Sequence, residues 1–171
     1  MTLFDDAVPV YRRSLTTLSA MLTKAEAHVS GDALLDAKLA DDMHPLAVQL
    51  RFLSNQPGVA IERLTNRTFT SRNDAETTLA SARSVLAEMD DYLGGVSADE
   101  LIDAATTIVV AIPNGIEFTM TAEQYVRDWS LPNFYFHLSM AYAILRHAGV
   151  PLGKADFVPH MNRYVTRMPT S

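Results

Sequence analysis

At 171 residues and 48% hydrophobic, the chain can bury one substantial core, and no Pro/Gly/Ser-rich linker divides it in two. A net charge of −6 with no Lys/Arg run argues against a nucleic-acid or anionic-membrane partner, and the lack of cysteine excludes disulfides and thiolate chemistry. No apolar stretch approaches the roughly 18–20 residues of a membrane span, and the acidic start MTLFDDAVPVYRR is unlike a signal peptide, so the chain reads as cytoplasmic.

The first helix is written as Phe4, Val8, Tyr11, Leu15, Leu18, Leu22, Ala25 and Val29, steps of four and three that make one apolar seam. Thr2 can cap it, and Asp5 and Asp6 put negative charge in its first turn. Pro9 predicts a kink or break there, and Ser30-Gly31-Asp32 a stop. After a short segment, Ala33–Leu39, a second seam runs Leu46, Leu50, Leu53, Pro57, Ala60, Leu64, with Pro45 suited to the first helical position. The phase carries through Pro57-Gly58, which favours one kinked helix over two unrelated ones.

Asn73 and Glu76 have the spacing of an N-cap and its third residue. The seam Ala75, Leu79, Ala82, Leu86, Met89, Leu93 then runs to Gly94-Gly95. Ser97 and Glu100 repeat the capping pattern and predict a short turn to about Ala104. Thr106–Ile112 and Ile116–Met120 flank Pro113-Asn114-Gly115 and read as a hairpin. Thr121 and Gln124 cap the last helix, whose seam is Phe134, Leu138, Ala141, Leu145, Ala148; Pro132 suggests that its continuous part begins near Leu131. It stops on Gly149 with Pro151 beyond. The prediction is an all-α four-helix bundle with a small β-hairpin before the last helix: one domain over 1–158 and an irregular tail over 159–171.

Phosphate-loop, nucleophile-elbow and H-E-x-x-H signatures are all absent. What remains is a line on the last helix, Asn133, His137, Met140, Ile144 and His147. Residues four apart on a helix project side by side about 5–6 Å apart, the spacing by which two histidines share a metal. An amide in place of one imidazole is a poor ligand for zinc or nickel. His137 therefore reads either as a core histidine bonded to Asn133 or to a neighbouring helix, or as part of a ligand or metal site. His44, beside Asp41 and Asp42 at the start of the second helix, reads as a helix-start residue or as an inward-facing partner of His137. His147 suits a helix C-terminus, and His28 and His160 read as surface residues. Tyr125, Trp129, Phe134, Tyr135 and Phe136 are too many rings for one face; they predict contacts with the hairpin and first helix, or a homodimer interface.

The run NFYFHLSMAYAILRHAGVPLGKADF (133–157), the start MTLFDDAVPVYRRSLTTLSAMLTKAEAH and the block LADDMHPLAVQLRF together resemble the domain of unknown function 1993 family to about Val158. That family is similar in layout to the DinB/YfiT-like bundles, whose better-known members carry a divalent metal on three histidines. The resemblance puts His137 and His44 on two of those positions and Asn133 on the third. The missing third ligand and the absence of other catalytic sets favour a small-ligand-binding protein with a degenerate metal site around His44, Asn133 and His137, and the surplus of aromatic rings a homodimer. The alternative is a divalent-metal hydrolase or thiol-dependent transferase in which His44, His137 and a carboxylate such as Asp41 hold Zn, Ni or Mn.

Overall fold

The computed structural model describes residues 2–28 and 32–167. The first seam becomes α1, Leu3–His28, which buries Val8, Tyr11, Leu15, Leu18, Leu22 and Ala25. Thr2 caps it: the Asp5 N–H donates to Thr2 Oγ1 at 3.2 Å, and the Thr2 N–H donates back to the Asp5 carboxylate at 2.9 Å. The expected break at Pro9 is absent. Pro9 lies on the exposed side of the helix, where water can take the carbonyl that its missing N–H leaves free. Val29, Ser30 and Gly31, read as the end of this helix, lie outside the described residues.

A 3-10 turn, Asp32–Asp36, buries Leu34 and Leu35 and leads to α2, Leu46–Leu64. Pro45 is the extended N-cap of α2 rather than its first helical residue. The helix runs unbroken through Pro57 and Gly58, both buried, so the continuity of phase outweighs the proline.

The third helix starts later than its capping pattern suggests. α3 spans Leu79–Gly94 with Thr78 as N-cap, so Asn73 and Glu76 do not open it. The preceding segment is strapped onto α2 instead. Arg51 donates to the Asn73 carbonyl, while the Asn55 amide accepts from the Arg72 N–H at 2.9 Å and donates to the Arg72 carbonyl at 2.9 Å. These bonds hold the chain extended where a helix would need its backbone. Thr78 Oγ1 then accepts from Ser81 N–H, and the Asp32 carboxylate accepts from Leu79 N–H at 2.9 Å.

A 3-10 turn over Ala98–Glu100 ends four residues short of Ala104, because the chain leaves into an extended Leu101 whose neighbour Ile102 bonds the Leu64 carbonyl. β1, Thr107–Ala111, and β2, Glu117–Thr121, pair antiparallel with Val109 opposite Thr119. Gly115 closes the hairpin at φ 84°, a conformation that favours glycine. The last helical run has three parts: α4, Ala122–Gln124; a π-helical turn, Tyr125–Ser130; and α5, Leu131–His147. Thr121 and Gln124 cap its start reciprocally, and Gly149 follows its end at φ 90°. The segment expected to be wholly irregular contains a 3-10 turn, Pro159–Tyr164, after the one-turn α6, Lys154–Phe157, whose Phe157 packs on Tyr142.

α1 packs mainly on α3 and α2 mainly on α5, while contacts of α2 with α3 and of α1 with α5 close the ring into a four-helix bundle. Tyr11, Phe134, Leu15, Leu18, Leu22 and Leu53 are almost wholly buried at its centre, each side chain contributing about 1.5–3 kcal/mol. No described helix is long and apolar enough to cross a membrane.

Candidate functional site

The site lies between α2 and the last helical run. On α2, Gln49, Phe52 and Gln56 follow in steps of three and four, so they share one face. On the opposing run, Tyr125, Trp129, Asn133 and His137 follow in steps of four. In a plain α-helix that line would drift about 40° at each step. The π turn takes up part of the drift. Pro132 has no N–H to give the Asp128 carbonyl, and its ring would strike it, so the chain widens and the Leu131 N–H bonds Val126 O, five residues back. Asn133 Nδ2 donates to the Trp129 carbonyl at 2.6 Å and secures the junction.

The two lines enclose a cleft of about 370 Å³ walled by Phe52, Gln56, Val59, Tyr125, Trp129 and Asn133, with Asn55, Ser71 and Ser130 also reaching it. None of these nine side chains is charged. The floor is rigid: Ser130 Oγ and the Tyr11 hydroxyl are 2.7 Å apart in a buried pair, and burial pushes the Tyr11 and Tyr125 phenols up from their ordinary range. The Arg63 guanidinium stands 5.9 Å over the Tyr125 ring and donates to the Val109 carbonyl at 3.0 Å, tying the hairpin to one end of the cleft. Behind the wall, the Gln56 amide oxygen is sealed from solvent and has no hydrogen-bond partner among the described residues.

Phe52 links the cleft to the histidines. Its ring lies 4.5 Å from that of His137 and 5.6 Å from that of His44, centroid to centroid. His137 is half-buried, and its Nδ1 lies 2.8 Å from Gln49 Oε1; Gln49 is 2% exposed and donates from Nε2 to the His44 carbonyl at 3.2 Å. Burial, and then the neighbouring His44 charge, hold the His137 imidazole below its ordinary range. His137 thus bonds the neighbouring helix and not Asn133.

His44 and Asn133 are exposed, so the three polar side chains do not share one buried pocket. The buried seam of α5 runs one position round, through Phe134, Leu138, Ala141 and Leu145, and leaves Asn133 and His137 on the flank toward α2. The Asp41 carboxylate stands in solvent, 3.9 Å from Lys38 Nζ.

Among the described residues, no three His, Cys, Asp or Glu side chains gather as a metal site. Asn133 donates one amide N–H to the Trp129 carbonyl, its remaining amide oxygen is a weak ligand for zinc or nickel, and Phe52 sits against both imidazoles, so this donor set is a poor fit to a three-residue divalent site. The aromatic surplus is largely spent within the chain: Trp129 packs on Phe118 of the hairpin at 5.0 Å and Phe134 on Tyr11 of α1 at 5.1 Å, while Phe136 is 56% exposed. Gln49, Phe52, Gln56 and Trp129 were not singled out as site residues by sequence reasoning. A glutamine between Leu46 and Leu50 of an apolar seam was the available signal for Gln49.

A family model described as Domain of unknown function (DUF1993) matches residues 3–158. The fold is similar to the crystal structure of a DinB family member protein from Shewanella denitrificans. The two are 34% identical with a TM-score of 0.82, over 99% of this chain and 94% of that one. No curated protein matches.

Proposed function

This chain belongs to the DUF1993 family and has the DinB-like layout, and from that premise we propose that it is a small-ligand-binding protein of the cytoplasm whose site is the cleft between α2 and α5. The observation that carries this reading is the cleft itself, about 370 Å³ lined by Phe52, Val59, Tyr125 and Trp129 with amides and hydroxyls between them and no charged side chain. Neutral walls and aromatic rings suit an uncharged, ring-bearing molecule. His44 and His137 border the site through Phe52, and Asn133 lines it.

Trp129 is the chain's one tryptophan, so its fluorescence reports on the cleft alone. Titration with benzamide and phenol is expected to give a saturable change that Phe52→Ala weakens at least tenfold. A flat response to both, in protein whose circular dichroism is helical, would overturn the reading. A metal-dependent hydrolase or transferase on His44 and His137 would need a third ligand from elsewhere; stabilisation of tag-free protein by zinc, nickel or manganese would favour it. Homodimerisation around the exposed Phe136 is part of the proposal, and light scattering tests it.

A further inference from the structure

We infer that Gln49 locks His137 in the tautomer that carries its proton on Nδ1, leaving Nε2 as a hydrogen-bond acceptor for a ligand that brings an O–H or N–H. The deduction runs along one chain of bonds. A backbone carbonyl only accepts, so the end of the Gln49 amide facing the His44 carbonyl must be its NH₂ group. The other end is therefore the amide oxygen, which also only accepts, and it faces His137 Nδ1 at 2.8 Å. Nδ1 must then be the donor. A neutral imidazole has one N–H, so its lone pair lies on Nε2.

Two further observations give that lone pair a use. Among the described residues His137 Nε2 makes no hydrogen bond, and the side chain is only half-buried. It also stands one helical turn beyond Asn133 and against Phe52, both of which line the cleft. Gln49 is almost wholly buried on a stripe where Leu46, Leu50 and Leu53 are its neighbours. Its two polar ends are both spent on fixing the loop at His44 and the imidazole of His137, so it is a positioning residue. The ligand acceptor beside the cleft is then His137 Nε2. The ligand class is an uncharged protic ring, such as a phenol or an azole.

The ligand half of this inference rests on the cleft reading; the tautomer half does not. Long-range proton–nitrogen correlation spectra of nitrogen-15 protein above pH 8 read both. Wild type is expected to show His137 with a protonated Nδ1 and a bare Nε2. Gln49→Leu should move the proton to Nε2, whereas Gln49→Glu, which keeps an acceptor at Nδ1, should retain the wild-type form. The other histidine signals report whether each variant is folded. A wild-type His137 protonated on Nε2 would overturn the tautomer, as would a folded Gln49→Leu protein with unchanged signals. Phenol is expected to shift the His137 Nε2 signal and change Trp129 fluorescence, while anisole, which lacks the O–H, should leave Nε2 unmoved. If phenol changes Trp129 but not Nε2, the acceptor role falls and the cleft reading stands. If neither probe changes Trp129, the cleft reading falls with its ligand, and the tautomer is judged on the variants alone.

Discussion

The ring of Phe69 occupies the space in which a β-carbon on Gly58 would stand. Three of its carbons lie closer to that position than real side chains approach one another. Gly58 is thus a docking notch in the middle of α2, and Phe69 fills it with the strap that precedes α3, packing at 5.8 Å on Tyr92.

Two opposing effects decide what Gly58→Ala does. Alanine gains about 1 kcal/mol of helix propensity over glycine in a helix interior. Displacing a packed ring costs about 1–3 kcal/mol. The variant is expected to lose about 1 kcal/mol, and chemical denaturation measures it. In a Phe69→Ala background the obstacle is gone, so the same substitution should become stabilising. A sign that does not change between the two backgrounds would show that Phe69 is not what keeps residue 58 a glycine.

The parts of this fold legible in the sequence are those governed by local spacing. The four-three seams mark α1, α2 and α5; Thr121 with Gln124 marks the cap of α4, and Pro113-Asn114-Gly115 marks the hairpin turn. The start of α3 was misplaced because Asn73 and Glu76 obey the capping rule locally, while Arg51 and Asn55 capture the same backbone from another helix. That competition is tertiary and leaves no trace in spacing. For the site, Asn133 and His137 were visible by their interval of four, but the partner of His137 was not, since it is 88 residues away in sequence. The π turn also escaped: Pro132 signals a disturbed helix without saying whether the chain breaks or widens.

Acid should weaken the strap through Glu100. The Arg67 guanidinium, bonded to it at 2.6 and 2.7 Å, and then the Ser97 N–H hold its carboxyl down to about 2, against an ordinary value of 4.5. A depressed folded value means that this stabilisation is fully present above pH 4.5 and is lost as pH falls toward about 2. Because the pair is only partly buried, the effect is small and salt-sensitive. Glu100→Gln is expected to flatten the part of the stability–pH curve that lies between those values, measured by urea midpoints. An unchanged curve would mean that the ion pair is not held in solution.

The floor of the cleft should respond unequally to its two partners. Ser130→Ala leaves the wholly buried Tyr11 hydroxyl without its partner at 2.7 Å and should cost about 1–3 kcal/mol. Tyr11→Phe removes the larger group's polar atom and leaves only a small hydroxyl, which can turn to another acceptor, so about 1 kcal/mol is expected. Equal losses in the two variants would mean that Tyr11 finds another partner. The Trp129 emission maximum offers a second reading, because Ser130 and Trp129 border the same cleft.

The amide at position 133 should be what withholds a metal. Asn133 and His137 are four apart on α5, the interval at which two imidazoles share one ion, and His137 Nε2 carries the lone pair that such a bond needs. In the parent chain the amide donates to the Trp129 carbonyl instead, and an amide oxygen is a weak ligand for zinc or nickel. Asn133→His is therefore expected to create a two-imidazole site without help from His44, which is exposed and packs its ring on Phe52. Binding to the folded state alone adds about 2.7 kcal/mol at a hundredfold excess over Kd, so nickel should raise the melting temperature of the tag-free variant by several degrees. The parent protein under the same conditions should not shift. An equal rise in both would place the ion on other groups, and a rise that His44→Ala abolishes would mean that the loop before α2 folds over Phe52 to supply a third ligand.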